Sequence, residues 1–369
     1  MRQSRLRAVG VAVGLGLSAG ALFFGPVEAA ASTWSIVSSP NVGTGNNYLF
    51  GVSCLTSNSC TAVGSYNGGA QVLIESWNGT SWSIVPSPSS GISSLHGVAC
   101  VSSSFCTAVG GYQNNFTGQG ETLIESWDGT SWSIVPSPNI VGNNYLSSVS
   151  CASFSFCTAV GSINNGAQTL IETWNGTSWS IVPSPNRGTS PDFLVGVACV
   201  SSRSCTAVGS YHNGVVSQTL IESWDGATWA IVSSPNRGTG DNILYGVSCV
   251  LPKTCAAVGI GTGQTLIEPL NGTRWSIAPS PNSGTSYNWL YAVACASFKS
   301  CTAVGGVGVG TQILIESGKR NKWSIAYTPN TGNYNALTGV ACVSSGSCTA
   351  VGYYVNRSSG VFQTLIVSE

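Results

Sequence analysis

Residues 95–139 read LHGVACVSSSFCTAVGGYQNNFTGQGETLIESWDGTSWSIVPSPN. Four short runs stand out: LHGVAC, CTAVGGY, ETLIESW and SWSIVPSP. Each is rich in Val, Ile, Thr, Trp or Tyr, and Gly, Asn, Ser and Pro separate them, so the stretch reads as four strands, a to d. Asp128-Gly129 between strands c and d is a hairpin signal, matched by Asn78-Gly79, Asn175-Gly176, Asp225-Gly226 and Asn271-Gly272. A type I′ turn, with φ > 0 at both central residues, is the expectation there. Helical periodicity is absent.

The same sentence recurs along the chain. Fourteen cysteines fall into seven pairs, each six residues apart: Cys54/Cys60, Cys100/Cys106, Cys151/Cys157, Cys199/Cys205, Cys249/Cys255, Cys295/Cys301 and Cys342/Cys348. The first cysteines of successive pairs are 46, 51, 48, 50, 46 and 47 residues apart. Four antiparallel strands in such a unit, seven times over, predict an all-β, seven-bladed β-propeller. Tandem sandwiches are the weaker alternative, because one unit is too small to bury its own core. Strand a, rich in Gly, Ala and Ser, suits the crowded position nearest the axis. The expected blades are about 48–88, 95–138, 145–185, 193–235, 243–281, 289–329 and 336–369.

The ends decide how the ring closes. STWSIVSSPN (32–41) is a strand d with no a, b or c before it, and the unit from LTGVAC to Glu369 has a, b and c but no d. Residues 33–38 are expected to pair with 363–368, completing the seventh blade and removing a free sheet edge. Upstream, Arg2, Arg5 and Arg7, the apolar run 8–24 and Ala29-Ala30-Ala31 read as a secretory signal peptide over 1–31, leaving a single domain over 32–369.

The pattern TAVGGY…ESWDGTSWSIVPSP resembles a kelch repeat, with its glycine doublet, aromatic, turn, Trp and closing Pro. The doublet stands at Gly110-Gly111 and Gly305-Gly306; elsewhere its second member is Ser65, Ser162, Ser210, Ile260 or Tyr353. The cysteine-bearing form also resembles repeats in secreted bacterial proteins. The resemblance implies a propeller and carries no particular ligand. Copper chemistry of the galactose oxidase type needs histidines together and a free cysteine, whereas here every cysteine has a partner and His96 and His212 fall in different blades.

Export implies an oxidising compartment, so one local disulfide per blade is expected for all seven pairs, bridging the a–b hairpin across a five-residue loop. Zinc is disfavoured, since the spacing is too long and only two histidines exist. Beyond residue 31 the chain has ten basic and twelve acidic residues, with no basic residue between 32 and 186. No basic stripe runs along the sequence, which argues against nucleic acid as partner. No second long apolar run follows the signal segment, so no transmembrane anchor is expected.

Length variation points to one face. Cys-to-Gly and Leu-to-Trp distances, which contain the a–b and c–d turns, are constant at ten and nine residues. The segments with the b–c and d–a loops range from 7 to 13 and from 18 to 20. One face is therefore uniform and disulfide-stapled, and the other is the variable, binding-competent face. Before strand a on that face stand Asn47-Tyr48, Asn144-Tyr145, Asp192-Phe193 and Tyr287-Asn288-Trp289. These are either turn formers with interblade aromatics or a collar for a sugar or peptide. Glu75, Glu125, Glu172, Glu222, Glu268 and Glu316 form one strand-c column, read as anchors to neighbouring backbone. Evenly spaced acids do not make the asymmetric pair a glycosidase uses. The expectation is a secreted, monomeric binding or scaffold module for a glycan, cell-wall component or protein, with no cofactor and no catalysis. The rivals are a carbohydrate-active enzyme on the same face and a purely structural envelope protein.

Overall fold

The computed structural model describes residues 33–369 apart from 89–90, 188–190, 298, 309–311, 320, 327–328 and 330–333. The expected signal segment lies outside the described residues. The described chain forms 28 strands and no helix, and none of it is a helix long and apolar enough to cross a membrane.

The strands make seven four-stranded antiparallel sheets, each in the order a-b-c-d. In the first blade these are Asn47–Thr56, Ser59–Tyr66, Gln71–Trp77 and Trp82–Ile84. The last sheet runs Asn335–Ser344, Ser347–Val355, Phe362–Ser368 and then Ser35–Val37 from the other end of the chain. The register is Ser35 to Ser368, Ile36 to Val367 and Val37 to Ile366. Side chains reinforce this clasp. Ser39 Oγ donates to Thr364 Oγ1 at 2.7 Å, and the Thr364 N–H donates to Asn41 Oδ1 at 3.0 Å. The ring is a closed seven-bladed propeller.

The core lies between blades. Ala62 packs with Leu49 and Leu73 against Val351 and Ile366 of the seventh blade, while its neighbour Val63 packs with Ile74 against Leu95 and Ala108 of the second. Strands b and c are thus buried on both faces, which is why they read as continuous apolar runs rather than alternating ones. Strand d is only three residues in the first blade because Pro86 follows, with no N–H to extend the ladder.

Three local expectations are revised. Strand a starts at the Asn itself and runs two residues past its first cysteine, so the a–b turn has two residues, not a five-residue loop. The paired cysteines lie directly opposite one another, as for Cys54 and Cys60, and all seven bridges are formed.

The bridges stand beside the a–b turns of the uniform face, as expected, and also reach into the core. The first cysteine of each pair, on strand a, is half-buried, but the second, on strand b, is buried. Cys157 (0% exposed), Cys205 (2%) and Cys348 (4%) belong to the apolar cores between blades. Cys157 packs there with Val109 and Ile124 of the preceding blade, Cys205 with Val160 and Ile171, and Cys348 with Val304 and Ile315. The middle of strand b is covered on both faces by its neighbours, so the cysteine on it is taken out of water. Each disulfide is therefore a core element as well as a link. A threonine of the preceding blade meets two of them, Thr158 Oγ1 lying 3.9 Å from Cys205 Sγ and Thr302 Oγ1 3.7 Å from Cys348 Sγ.

The c–d turns are not type I′. Gly79, Gly129, Gly176 and Gly226 have positive φ, but the preceding Asn or Asp does not. Its side chain instead caps the turn, Asn78 Oδ1 accepting from the Thr80 and Ser81 N–H groups at 2.9 Å.

Candidate binding face

In every blade the a–b ladder skips two residues of strand a, one just after the first cysteine and one deeper in the strand; the deeper ones are Phe50, His96, Ser147, Val195, Tyr245, Tyr291 and Thr338. A bulge re-aims its side chain. These seven residues, with the small residues that follow them, line an axial cavity of about 420 Å³. The small residues are required because neighbouring a strands approach closely. A Cβ on Gly51 would lie 2.8 Å from the His96 carbonyl oxygen.

The column is not seven-fold in chemistry. Phe50 stacks on His96 with centroids 5.0 Å apart, and Tyr145 lies 6.4 Å beyond. Across the channel Tyr245 and Tyr291 are 5.3 Å apart, with Trp289 6.2 Å from Tyr291. Ser94 Oγ and His96 Nε2 share a hydrogen bond of 2.9 Å. His96 sits deep in the molecule but keeps surface toward the cavity, and burial lowers its pKa to about 4. Burial, aided by Tyr353 and Tyr245, pushes Tyr291 up to about 12. The channel is therefore aromatic and uncharged at neutral pH.

The residues expected at the collar divide sharply. Asn47, Asn144, Asp192 and Asn288 are buried. Asn47 Nδ2 donates to the Val42 and Gly45 carbonyls, and Asn288 Nδ2 to those of Ser283 and Ser286, so these amides hold their own d–a loops. Asn144 does the same with Ile140 and Gly142. Asp192 accepts from the Arg187 N–H, and burial raises its pKa. Tyr48 packs edge-on to Tyr353 at 5.2 Å, across the junction of the first and seventh blades. Phe193 lies against Gly166, and Trp289 covers Gly306 with its indole N–H turned away from water. Of the nine, only Tyr145 (42% exposed) and Tyr287 (66%) are openly presented.

Tyr287 leads to a second hollow. A cleft of about 600 Å³ opens on the loop face between the fifth and sixth blades, lined by Asp241, Ile243, Tyr245, Thr262, Gln264 and Tyr287 among others. Its wall is preorganised. The Tyr287 ring lies where a Cβ on Gly263 would be 3.0 Å away, Gly263 having φ of +79°. Arg237 Nη1 donates to Gln264 Oε1 at 3.1 Å, and Thr262 Oγ1 to the Arg237 carbonyl at 2.8 Å. Tyr245 lines both this cleft and the axial cavity, so the two adjoin. The same face exposes Phe116 and Val215 at b–c loop tips and Ile92, Val141 and Tyr334 in d–a loops. Asx turns hold the tips, Asn114 Oδ1 accepting from the Phe116 N–H and Asn213 Oδ1 from the Val215 N–H, each at 2.9 Å.

Sequence reading missed the bulge column, because these residues sit inside a repeated strand and vary from unit to unit. Their variety of type within an ordered repeat was the available signal. Among the described residues no group of three or more His, Cys, Asp or Glu is arranged to hold a metal ion.

No family model matches the sequence, and no curated protein does. Solved structures do match in fold. One is the structure of U3-55K, with a TM-score of 0.60 and 11% identity, covering 92% of this chain and 99% of the other. Another is YCF48 bound to D1 peptide, with a TM-score of 0.57 and 13% identity over 91% and 94% of the two chains. YCF48 from Cyanidioschyzon merolae gives 0.57 and 14%, over 92% and 98%. At these identities the likeness establishes the propeller and not a shared activity.

Proposed function

We propose that the chain is a secreted, non-catalytic binding module whose loop face takes a neutral, ring-bearing ligand, a glycan or cell-wall fragment foremost. The observation that carries this reading is the adjoining of the uncharged aromatic channel with the cleft at Tyr245 and Tyr287. Aromatic faces flanked by amides and hydroxyls suit sugar rings, which offer apolar faces and hydroxyl edges. A rigid propeller with variable loops on one face supplies preorganisation, which lowers the cost of binding. The seven disulfides fit an oxidising, extracellular setting and the expected signal segment. The kelch-like pattern and a bacterial origin belong to the same reading. A peptide is the second ligand class, supported by a neighbour in fold solved with a bound peptide.

Catalysis finds no support in the carboxylates. Glu75, Glu172, Glu222, Glu268 and Glu316 are fully buried and bonded to serines. A screen of glycans and peptidoglycan fragments, followed by tryptophan fluorescence, should find a binder. Tyr245→Ala and Tyr287→Ala should each weaken it by about tenfold or more. Binding untouched by both substitutions, or no binder in the screen, defeats the assignment.

A further inference from the structure

The opposite face, where lengths are uniform, is not uniform in shape or charge. In the first four blades strand c ends in Trp77, Trp127, Trp174 or Trp224, whose indole N–H donates to the a–b turn carbonyl of Ser57, Ser103, Phe154 or Ser202 at 3.0–3.1 Å. In the fifth and sixth blades the corresponding residues are Leu270 and Gly318. There the c–d hairpin tightens to a two-residue turn, closed by Asn271 with Arg274 and by Lys319 with Lys322. Trp323 folds into the space at Gly318, where a Cβ would lie 2.3 Å from its ring. The groove between these blades opens to about 420 Å³, against about 190 Å³ between the first and second blades and about 130 Å³ between the seventh and first. Its floor is largely apolar, with Pro269, Leu270, Trp323, Cys255, Cys295 and Cys301, and Thr254, Asn271 and Lys253 also line it.

Charge gathers around the same groove. Arg203, Lys253 and Lys299 occupy the a–b turns of the fourth, fifth and sixth blades, and Arg274, Lys319 and Lys322 the c–d turns of the last two. All six are exposed. Among the described residues of these turns the only acid is Asp225, whereas the same turns of the first three blades carry Asp128 and no cation. Residues far apart in sequence are brought to one sector because every a–b and c–d turn falls on one side of the ring.

We infer that this sector is a second docking site, for an acidic peptide segment that inserts one large apolar side chain between the fifth and sixth blades. A cationic rim attracts and orients an acidic chain, and the apolar floor adds the anchor. A hydrophilic polyanion, whether nucleic acid or anionic glycan, satisfies the rim and leaves the floor unfilled.

The test uses the intact protein and fluorescence anisotropy with a labelled Asp/Glu octapeptide carrying one central Phe. Comparison probes are the same peptide with Ser in place of Phe, and a single-stranded DNA oligonucleotide. The Phe peptide should bind at least about tenfold more tightly than either, and salt well above physiological strength should weaken it. Lys253→Glu with Lys299→Glu should weaken it about tenfold or more. So should Leu270→Trp, which restores the residue type of the first four blades, while Tyr287→Ala on the other face should leave it unchanged. Failure of the Phe peptide to bind, equal binding of the Ser peptide or DNA, or undiminished binding to either variant overturns the proposal. Should Leu270→Trp lose its cooperative thermal transition, the charge reversal and the Phe-to-Ser comparison decide alone.

Discussion

Glu222 shows how one residue type serves the whole ring. Its carboxylate is fully buried and accepts from Ser184 Oγ of the preceding blade at 3.0 Å, and the same link recurs from Ser39 to Glu75, Ser137 to Glu172, Ser234 to Glu268 and Ser280 to Glu316. The column was legible from its recurrence. Its partner was not: the expectation was backbone, and the structure supplies a serine side chain from another blade. Burial pushes Glu75, Glu222 and Glu268 up to about 8 and Glu172 and Glu316 up to about 7, partly offset by the serine bonds. The folded chain therefore holds protons that the unfolded chain releases near its ordinary carboxylate pKa of 4.5. This stabilisation is full below that pH and is lost as pH rises through about 7 to 8. His96 acts in the other sense. Its depressed pKa of about 4 gives stability that is present above its ordinary value and lost as pH falls through about 4. Thermal melts should thus show greater stability at pH 5 than at pH 9. Glu222→Gln, which keeps an acceptor for Ser184, should be roughly 2 kcal/mol more stable than the parent at pH 9, and less so at pH 5. A parent whose melting temperature is flat from pH 5 to 9 would contradict this account.

Among elements, the a–b hairpin is the most completely determined by sequence. The five residues between the cysteines are a two-residue turn, its closing pair and one bulged residue of strand a, and together they set the cysteines face to face. The depth of the second cysteine was not legible, since it depends on the neighbouring blade that covers strand b, as it covers Cys157, Cys205 and Cys348. The c–d hairpin was less legible still, because Asn-Gly serves equally as an I′ turn or as an Asx-capped loop, and the closing pair Trp77–Trp82 decides in favour of the loop. Each disulfide closes a short loop, so its effect on the unfolded chain is modest. Cys100→Ser with Cys106→Ser should cost about 2 kcal/mol, read as a fall of about 3 °C in Tm, with the propeller retained. Collapse of the fold in that double variant would show that the bridges organise the blades rather than reinforce them.

At the scale of the molecule, stability rests on contacts between successive blades, so the junction of first and last blades matters as much as any other. Trp34, only 3% exposed, belongs to the core shared by the sixth and seventh blades with Ile315, Leu337 and Leu365. Removing residues 33–41 should strip the last blade of its outer strand and of the Ser39 link to Glu75. A Tm lower by about 10 °C or more is expected in calorimetry; an unchanged melt would count against closure by this strand. What the sequence determined by itself is what repeats: blade number, strand order, disulfide pairing and ring closure, because these depend on contacts within a unit or with the next, and such contacts recur in register. What only the tertiary structure decided is what does not repeat. The bulge residues face one axis, the Asn amides turn into their own loops, and the cations of three blades meet beside the groove left by two missing tryptophans. Each of these arises when the folded ring fixes where side chains point and brings together those separated by whole blades, which no local pattern encodes.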